Sequence, residues 1–206
     1  MRVEAKELGK RYRRTWVFRN LALNLESGQR WALTGVNGSG KSTLLRMLAA
    51  ALRPTSGTLR WLEQEKQIPV DQVYTRVSLA APYLELIDPF TLREHLAFHG
   101  QLKPWLPGWD AGRIMADTGL ERHADKALRD FSSGMRQRVR LALAFYSQSE
   151  LLLLDEPTSN LDAAGKAWFK ETLERCAGSR LVVIASNVEE ETLTCTHSLH
   201  LDRDLA

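Results

Sequence analysis

Along the first sixty residues, apolar and polar positions alternate in short runs, VEAKEL, LALNLE and GTLRWLE, parted by turn residues at Ser27-Gly28 and from Pro54 to Gly57. A period of two predicts half-buried antiparallel strands, so the chain is expected to open on a small β lobe. WALTG (Trp31 to Gly35) reads within that lobe as an apolar strand ending in glycine, and the following VNGSGKSTLLRMLAAAL passes into helical spacing. This helix is expected to stop near Arg53-Pro54, where proline cannot continue it. From Thr91 to about Gln148 helical periodicity dominates, interrupted by the loop KPWLPGWD. LLLLD and RLVVIAS then read as strands apolar on both faces, with a helix around Ala164 to Cys176 between them. Strands of that kind alternating with a helix predict a parallel sheet, so the fold class expected is α/β.

At 206 residues and 44% hydrophobic, the chain has material for one substantial core, hence a single domain with lobes. Its longest apolar stretches, LLLL and LVVIA, fall far short of the roughly 20 residues a membrane-spanning helix needs. MRVEAKELGKRYRRTW has no apolar core of a secretory signal, which leads to the expectation of a cytoplasmic protein. Cys176 and Cys195 lack a partnered spacing and read as reduced bystander thiols. With 28 Lys plus Arg against 25 Asp plus Glu, charge is too nearly balanced to give the field a nucleic-acid partner would require, and none is expected. Lys10, Arg11, Arg13 and Arg14 read as a solvated turn between strands.

Candidate chemistry begins at GVNGSGKS, Gly35 to Ser42, which fits the phosphate-binding loop in full and has a strand before it and a helix after it. Its glycines let successive backbone amides point inward, Lys41 would reach β- and γ-phosphates, and the Ser42 hydroxyl would bind magnesium. LLLLDE (Leu151 to Glu156) delivers two carboxylates at the carboxyl end of a strand, where open parallel sheets bind ligands. Asp155 is expected to hold magnesium, and Glu156 to position or deprotonate an attacking water. His95 and His99 share a helix face that could bind zinc, but no third ligand is evident and a structural reading is favoured. Trp105 and Trp109 suit either a partner contact or a gap filled within the helical lobe.

Between the two motifs lies FSSGMRQRVRLALAF, Phe131 to Phe145, a Ser/Gly turn opening a helix with Arg136, Arg138 and Arg140 near its start. Here the chain resembles the nucleotide-binding subunits of ATP-binding cassette (ABC) transporters, over essentially its whole length. The order of phosphate loop, signature, DEPTSNLD and a last strand ending in a switch residue distinguishes that family from other phosphate-loop enzymes. Its Ser-Gly-Gly-Gln signature matches Ser132, Ser133, Gly134 and Met135 with two departures. The resemblance implies a phosphate-loop NTPase core with a mainly parallel sheet, an N-terminal antiparallel β lobe and an inserted helical lobe, all in one domain over residues 1–206. The β lobe and first part of the core would occupy about 1–90, the helical lobe 91–148 and the rest of the core 149–206.

It also implies ATP and magnesium as cofactors. Nucleotide contacts would come from Gly35, Asn37, Gly38, Ser39, Gly40, Lys41, Ser42 and Thr43, with Tyr12 stacked on the adenine and Trp16 a nearby competitor. In such proteins the signature of one subunit meets the γ-phosphate bound by the other, so a second cassette, identical or different, is expected, with Ser132, Ser133, Gly134 and Asp162 facing it. The remaining expected partner is a membrane-spanning transporter subunit, which would place the chain at the inner face of the membrane.

Two positions depart from the family near the γ-phosphate. Pro82 stands where relatives carry glutamine and supplies neither a side-chain acceptor nor an amide donor. Asn187 stands at the switch histidine and can donate a hydrogen bond to phosphate but cannot shuttle a proton. One reading keeps hydrolysis, with magnesium, Lys41 and Glu156 supplying the main electrostatics and Asn187, Glu85 or a water covering the gaps. The alternatives are a slow or non-hydrolysing ATP-binding clamp, or a soluble ABC protein acting on DNA or ribosomes. Retention of Glu156 favours the first.

Overall fold

The structure is a computed structural model and describes residues 1–202. In chain order the elements are β1 (Arg2–Tyr12), β2 (Thr15–Glu26), β3 (Arg30–Thr34), α1 (Lys41–Leu48), β4 (Ser56–Glu63), β5 (Lys66–Gln67), α2 (Val73–Arg76) and β6 (Val77–Ala80). There follow α3 (Leu92–Leu102), α4 (Ala111–Asp117), α5 (Ser133–Tyr146), β7 (Leu151–Asp155), α6 (Ala163–Ala177), β8 (Leu181–Ala185), α7 (Glu189–Thr192) and β9 (His197–His200). The chain divides into two compact units, one from residues 1–79, 149–155 and 179 onward, the other from 80–148 and 156–178. The α/β class holds, with an antiparallel N-terminal sheet, a second sheet of five strands and a helical insert.

In the first unit the antiparallel sheet has the order β2-β1-β4-β5, and the larger sheet β6-β7-β8-β3-β9. Strands β7, β8, β3 and β9 are parallel, and every residue of β7 and β8 is buried, as expected for strands covered on both faces. WALTG reads from sequence as part of the β lobe, but β3 sits in the larger sheet, with Ala32 opposite Ile184 and Ser198. The run Trp31-Ala32-Leu33 is continuously apolar rather than alternating, which suits a doubly covered strand. Edge strand β9, HSLH, is short, with three of its four residues exposed, and carries no sequence signal strong enough to predict it.

Helix α1 buries Leu44, Leu45, Met47 and Leu48 in one cluster with Val3, Leu8 and Phe18 of the antiparallel sheet and Leu151, Leu153 and Val183 of the larger one. Each such leucine contributes about 1.5–3 kcal/mol relative to exposure. The helix ends well short of the proline expected to stop it. Ala50 takes a left-handed φ of 57°, and the Ala51 and Leu52 amides both donate to the Arg46 carbonyl at 2.9 and 3.1 Å. This backbone turn closes the helix without glycine or proline.

In the second unit each long helix begins on a side-chain cap: Thr91 with Glu94 for α3, Asp110 for α4, Ser132 for α5 and Asp162 for α6. Asp117, at the end of α4, accepts hydrogen bonds from Trp168 Nε1 (2.8 Å), Arg175 Nη2 (2.7 Å) and the Tyr146 hydroxyl. Burial, then this carboxylate, push the Tyr146 hydroxyl far above its ordinary pKa. Trp109 packs on Tyr146 with ring centroids 4.0 Å apart, and Trp105 stacks on His99 at 5.0 Å, so both tryptophans fill the helical unit. His99 Nε2 lies 2.7 Å from Ser147 Oγ, and His95 meets Phe90 edge-on. Among the described residues no group of three or more His, Cys, Asp or Glu could hold a metal ion, and no helix is long and apolar enough to cross a membrane.

Candidate functional site

Strand β3 ends at Thr34 and the chain turns sharply through Gly35, Gly38 and Gly40, whose φ values are 137°, 81° and 104°. At two of them a side chain would also collide: a Cβ on Gly35 would lie 2.3 Å from the Leu201 carbonyl oxygen, and one on Gly40 2.5 Å from Val17 Cγ1. Only glycine meets both demands, so β2 and the segment after β9 press the loop into shape from outside. The Ser39 amide donates to the Val36 carbonyl at 3.0 Å, closing the turn.

Lys41, 6% exposed, folds back over the loop and donates to the carbonyls of Gly35 (2.5 Å) and Val36 (3.2 Å). The Ser39 hydroxyl is buried in the same loop and has no hydrogen-bond partner among the described residues. A glycine-shaped turn at the start of a helix, an ammonium group folded over it and a buried hydroxyl with no hydrogen-bond partner among the described residues fit a polyphosphate, whose oxygens accept from all three kinds of donor. Ser42 is exposed at the start of α1 and Thr43 half-buried; Asp155 ends β7 at 3% exposure.

Asn187 follows β8, and its Nδ2 donates to Oδ1 of Asn37 in the loop at 3.1 Å. Beside this pair an open cavity of about 430 Å³ is lined by Thr34, Gly35, Val36, Asn187, Glu189 and His200 among others. Tyr12 ends β1 at 46% exposure, with Lys10 Nζ 5.3 Å from its ring centroid; the same ammonium donates to the Arg53 carbonyl at 2.8 Å. Trp16 is covered by the Arg11 guanidinium at 5.2 Å and crowds Gly9, leaving the Tyr12 ring the more open of the two.

The second unit gathers the other predicted residues. Ser132 Oγ accepts the Met135 amide at 3.2 Å as the cap of α5, with Ser133 exposed in the first turn. A Cβ on Gly134 would stand 2.8 Å from the Asn160 carbonyl oxygen, so the signature turn lies directly against the SNLD loop, Ser159 to Asp162. Glu156 has a left-handed φ of 44° and is exposed, a strained placement for a non-glycine residue. Asp162 accepts the Gly165 amide at 2.8 Å and Arg138 Nη2 at 2.9 Å. The Gly165 amide first, then Arg138, hold its carboxyl below the usual range.

Three residues of α5 that sequence reasoning left without a role complete this side. Gln137, 1% exposed, donates to the Pro157 carbonyl at 2.9 Å and so fixes the turn just after Glu156. Arg136 pairs with Asp88 at 2.6 Å and Arg140 Nε donates to the Leu84 carbonyl at 2.7 Å. Their spacing of four places both on one helix face, a signal present in the sequence. They anchor the loop after β6, in which the Leu84 amide donates to the Ala81 carbonyl and Pro82 takes the second turn position, for which its fixed φ is suited.

The family model described as ABC transporter matches residues 18–159. Nod factor export ATP-binding protein I of Cupriavidus metallidurans is 33% identical over 189 residues, covering 89% of this chain but only 62% of that protein. An uncharacterized ABC transporter ATP-binding protein of Bacillus subtilis, YybJ, is 28% identical over 204 residues, with 97% and 92% covered. Among solved structures, the dimeric ATP-binding cassette MJ0796, in a post-hydrolysis state bound to ADP and Pi, matches with a TM-score of 0.85 at 22% identity over 98% of this chain and 94% of that one.

Proposed function

The chain belongs to the ABC transporter family, as one of its ATP-binding cassettes, and we propose that it hydrolyses ATP to drive a separate membrane-spanning subunit. The observation that carries this reading is the phosphate loop: Lys41 donates to two loop carbonyls, and the buried Ser39 hydroxyl has no partner among the described residues. Bound ATP would supply the phosphoryl group to be transferred, and magnesium a counter-charge to its oxygens. Lys41 would exchange the Gly35 and Val36 carbonyls for phosphate oxygens, while the amides of the loop from Gly35 to Thr43 orient the chain of phosphates. Ser42 and Asp155 would hold the metal, and the open face of Tyr12 would stack on the base.

Glu156 would take the proton of the attacking water. Its left-handed backbone, held by the Gln137 bond to Pro157, fixes where the carboxylate can point. Asn187 would donate from the amide that now rests on Asn37, a neutral contact in place of histidine. Pro82 contributes no side-chain polar group, so hydrolysis here rests on Lys41, the metal and Glu156.

The proposed assembly is a pair of cassettes in which Ser132, Ser133, Gly134 and Asp162 of each face the nucleotide of the other, as the dimeric relative suggests. Its place would be the cytoplasmic face of the membrane, docked through the helical unit and the loop after Pro82. Arg136 and Arg140 support that reading, since they tie this loop to the helix that begins with the signature. Magnesium-dependent phosphate release from the purified chain, compared with Glu156→Gln, tests the proposal. A clamp that does not turn over would give equal background rates in both.

A further inference from the structure

One edge of the antiparallel sheet is open above an apolar cavity. β1 pairs with β4 from Leu62 back to Ser56, but on the other side β5 pairs only with Leu62 and Glu63, followed by the Ile68 amide on the Trp61 carbonyl at 2.7 Å. In an antiparallel ladder backbone groups alternate in direction, so the Leu59 N–H and C=O face the same way as the Trp61 carbonyl. No strand lies beside them among the described residues. Under this gap a cavity of about 520 Å³ is lined by Leu52, Pro54, Leu59 and the half-exposed Val70, with parts of Arg53 and Arg60 also in its wall. Both arginines are exposed, and neither guanidinium has an ion-pair partner among the described residues.

We propose that this edge receives an extended segment of a partner polypeptide in which apolar and acidic residues alternate. The backbone would pair with Leu59, as extended peptides add to exposed sheet edges. Successive side chains of a strand point to opposite faces, and Arg60 adjoins Leu59 in sequence, so it faces away from the side Leu59 occupies. Apolar side chains of the segment would therefore enter the cavity beside Leu59, while acidic ones, on the other face of the sheet, meet Arg60. An unguarded edge invites non-specific pairing; the exposed Arg60 beside it selects against basic segments and for acidic ones. The surface lies outside the proposed nucleotide site and makes a claim separate from hydrolysis.

The test uses the full chain and a fluorescein-labelled peptide, blocked at both ends, of alternating valine and glutamate. Fluorescence anisotropy should show saturable binding, and hydrogen exchange should show the Leu59 amide protected by the peptide. Affinity should fall tenfold or more when alternate peptide amides are N-methylated, and likewise in Arg60→Glu, whose melting temperature should match wild type. No saturable binding at millimolar peptide would overturn the proposal, as would binding that leaves Leu59 exchange unchanged. Equal binding of the peptide with lysine for glutamate would do the same. Octanoate filling the cavity while the peptide fails would assign it to a small amphiphile instead, and self-association of the chain blocked by Arg60→Glu would assign it to a second copy; either contradicts it.

Discussion

Asn187 donates from Nδ2 to Oδ1 of Asn37 at 3.1 Å, joining the end of β8 to the phosphate loop through two neutral side chains. The amide carries a donor but no titratable proton, so the contact keeps its strength across the pH range in which an imidazole would change charge.

Asn187→His should therefore introduce a pH dependence the wild type lacks. The ratio of variant to wild-type phosphate release should rise as pH falls through about 6.5, where imidazole gains its charge. Steady-state rates between pH 5.5 and 8 in saturating ATP check this; parallel profiles would mean the position does not meet phosphate.

Gly134 faces the Asn160 carbonyl so closely that a Cβ would stand 2.8 Å away, and the obstacle is backbone rather than a flexible side-chain tip. Gly134→Ala should destabilise the chain by about 1–3 kcal/mol through overpacking. Thermal melting followed by circular dichroism measures it. Gly112→Ala serves as control, because a Cβ there meets only the Asp110 carboxylate, at 3.2 Å.

Arg140 holds the loop after Pro82 through the Leu84 carbonyl at 2.7 Å. Arg140→Met should leave basal phosphate release within about twofold while removing most of the stimulation given by a reconstituted membrane-spanning subunit, since surface substitutions away from a site seldom move it much. Comparing rates with and without that subunit separates coupling from chemistry.

His99 is pushed down to about 4 by burial first, with His95 and Lys103 adding to it. A base whose folded pKa lies below its unfolded value of about 6.5 binds more protons when unfolded, so its contribution costs stability as pH falls from about 6.5 to about 4. The loss attributable to this residue is on the order of 3 kcal/mol across that window. His99→Gln, which preserves a donor toward Ser147, should flatten the acid limb of a plot of melting temperature against pH. The downward shift of His95 acts in the same sense, so some slope should remain.

Much of this fold and site is legible in the residue order, because strong periodicity and motif spacing are local properties. The continuous apolar runs of β7 and β8, the glycine pattern of the phosphate loop and the carboxylates after LLLL all state their environment directly. What escapes is set by distant contacts. The end of α1 depends on the left-handed Ala50, which no composition rule marks, and β9 exists only because it pairs with β3. The sequence offers Asp162 as an acid for a partner's site, whereas its carboxylate also caps α6 and pairs with Arg138. Gln137 lies two residues past the signature, where no motif position marks it, yet donates to the Pro157 carbonyl in the turn just after Glu156.

The most direct test of the central claim is magnesium-dependent phosphate release from the purified wild-type chain beside Glu156→Gln, with nucleotide binding measured for both by equilibrium titration. Catalysis by a positioned base contributes about 10²–10⁴-fold. We expect the two proteins to bind ATP with similar affinity and the variant to lose at least about a hundredfold in rate. Equal rates at the level of buffer, with binding intact, would contradict hydrolysis and leave an ATP-binding clamp.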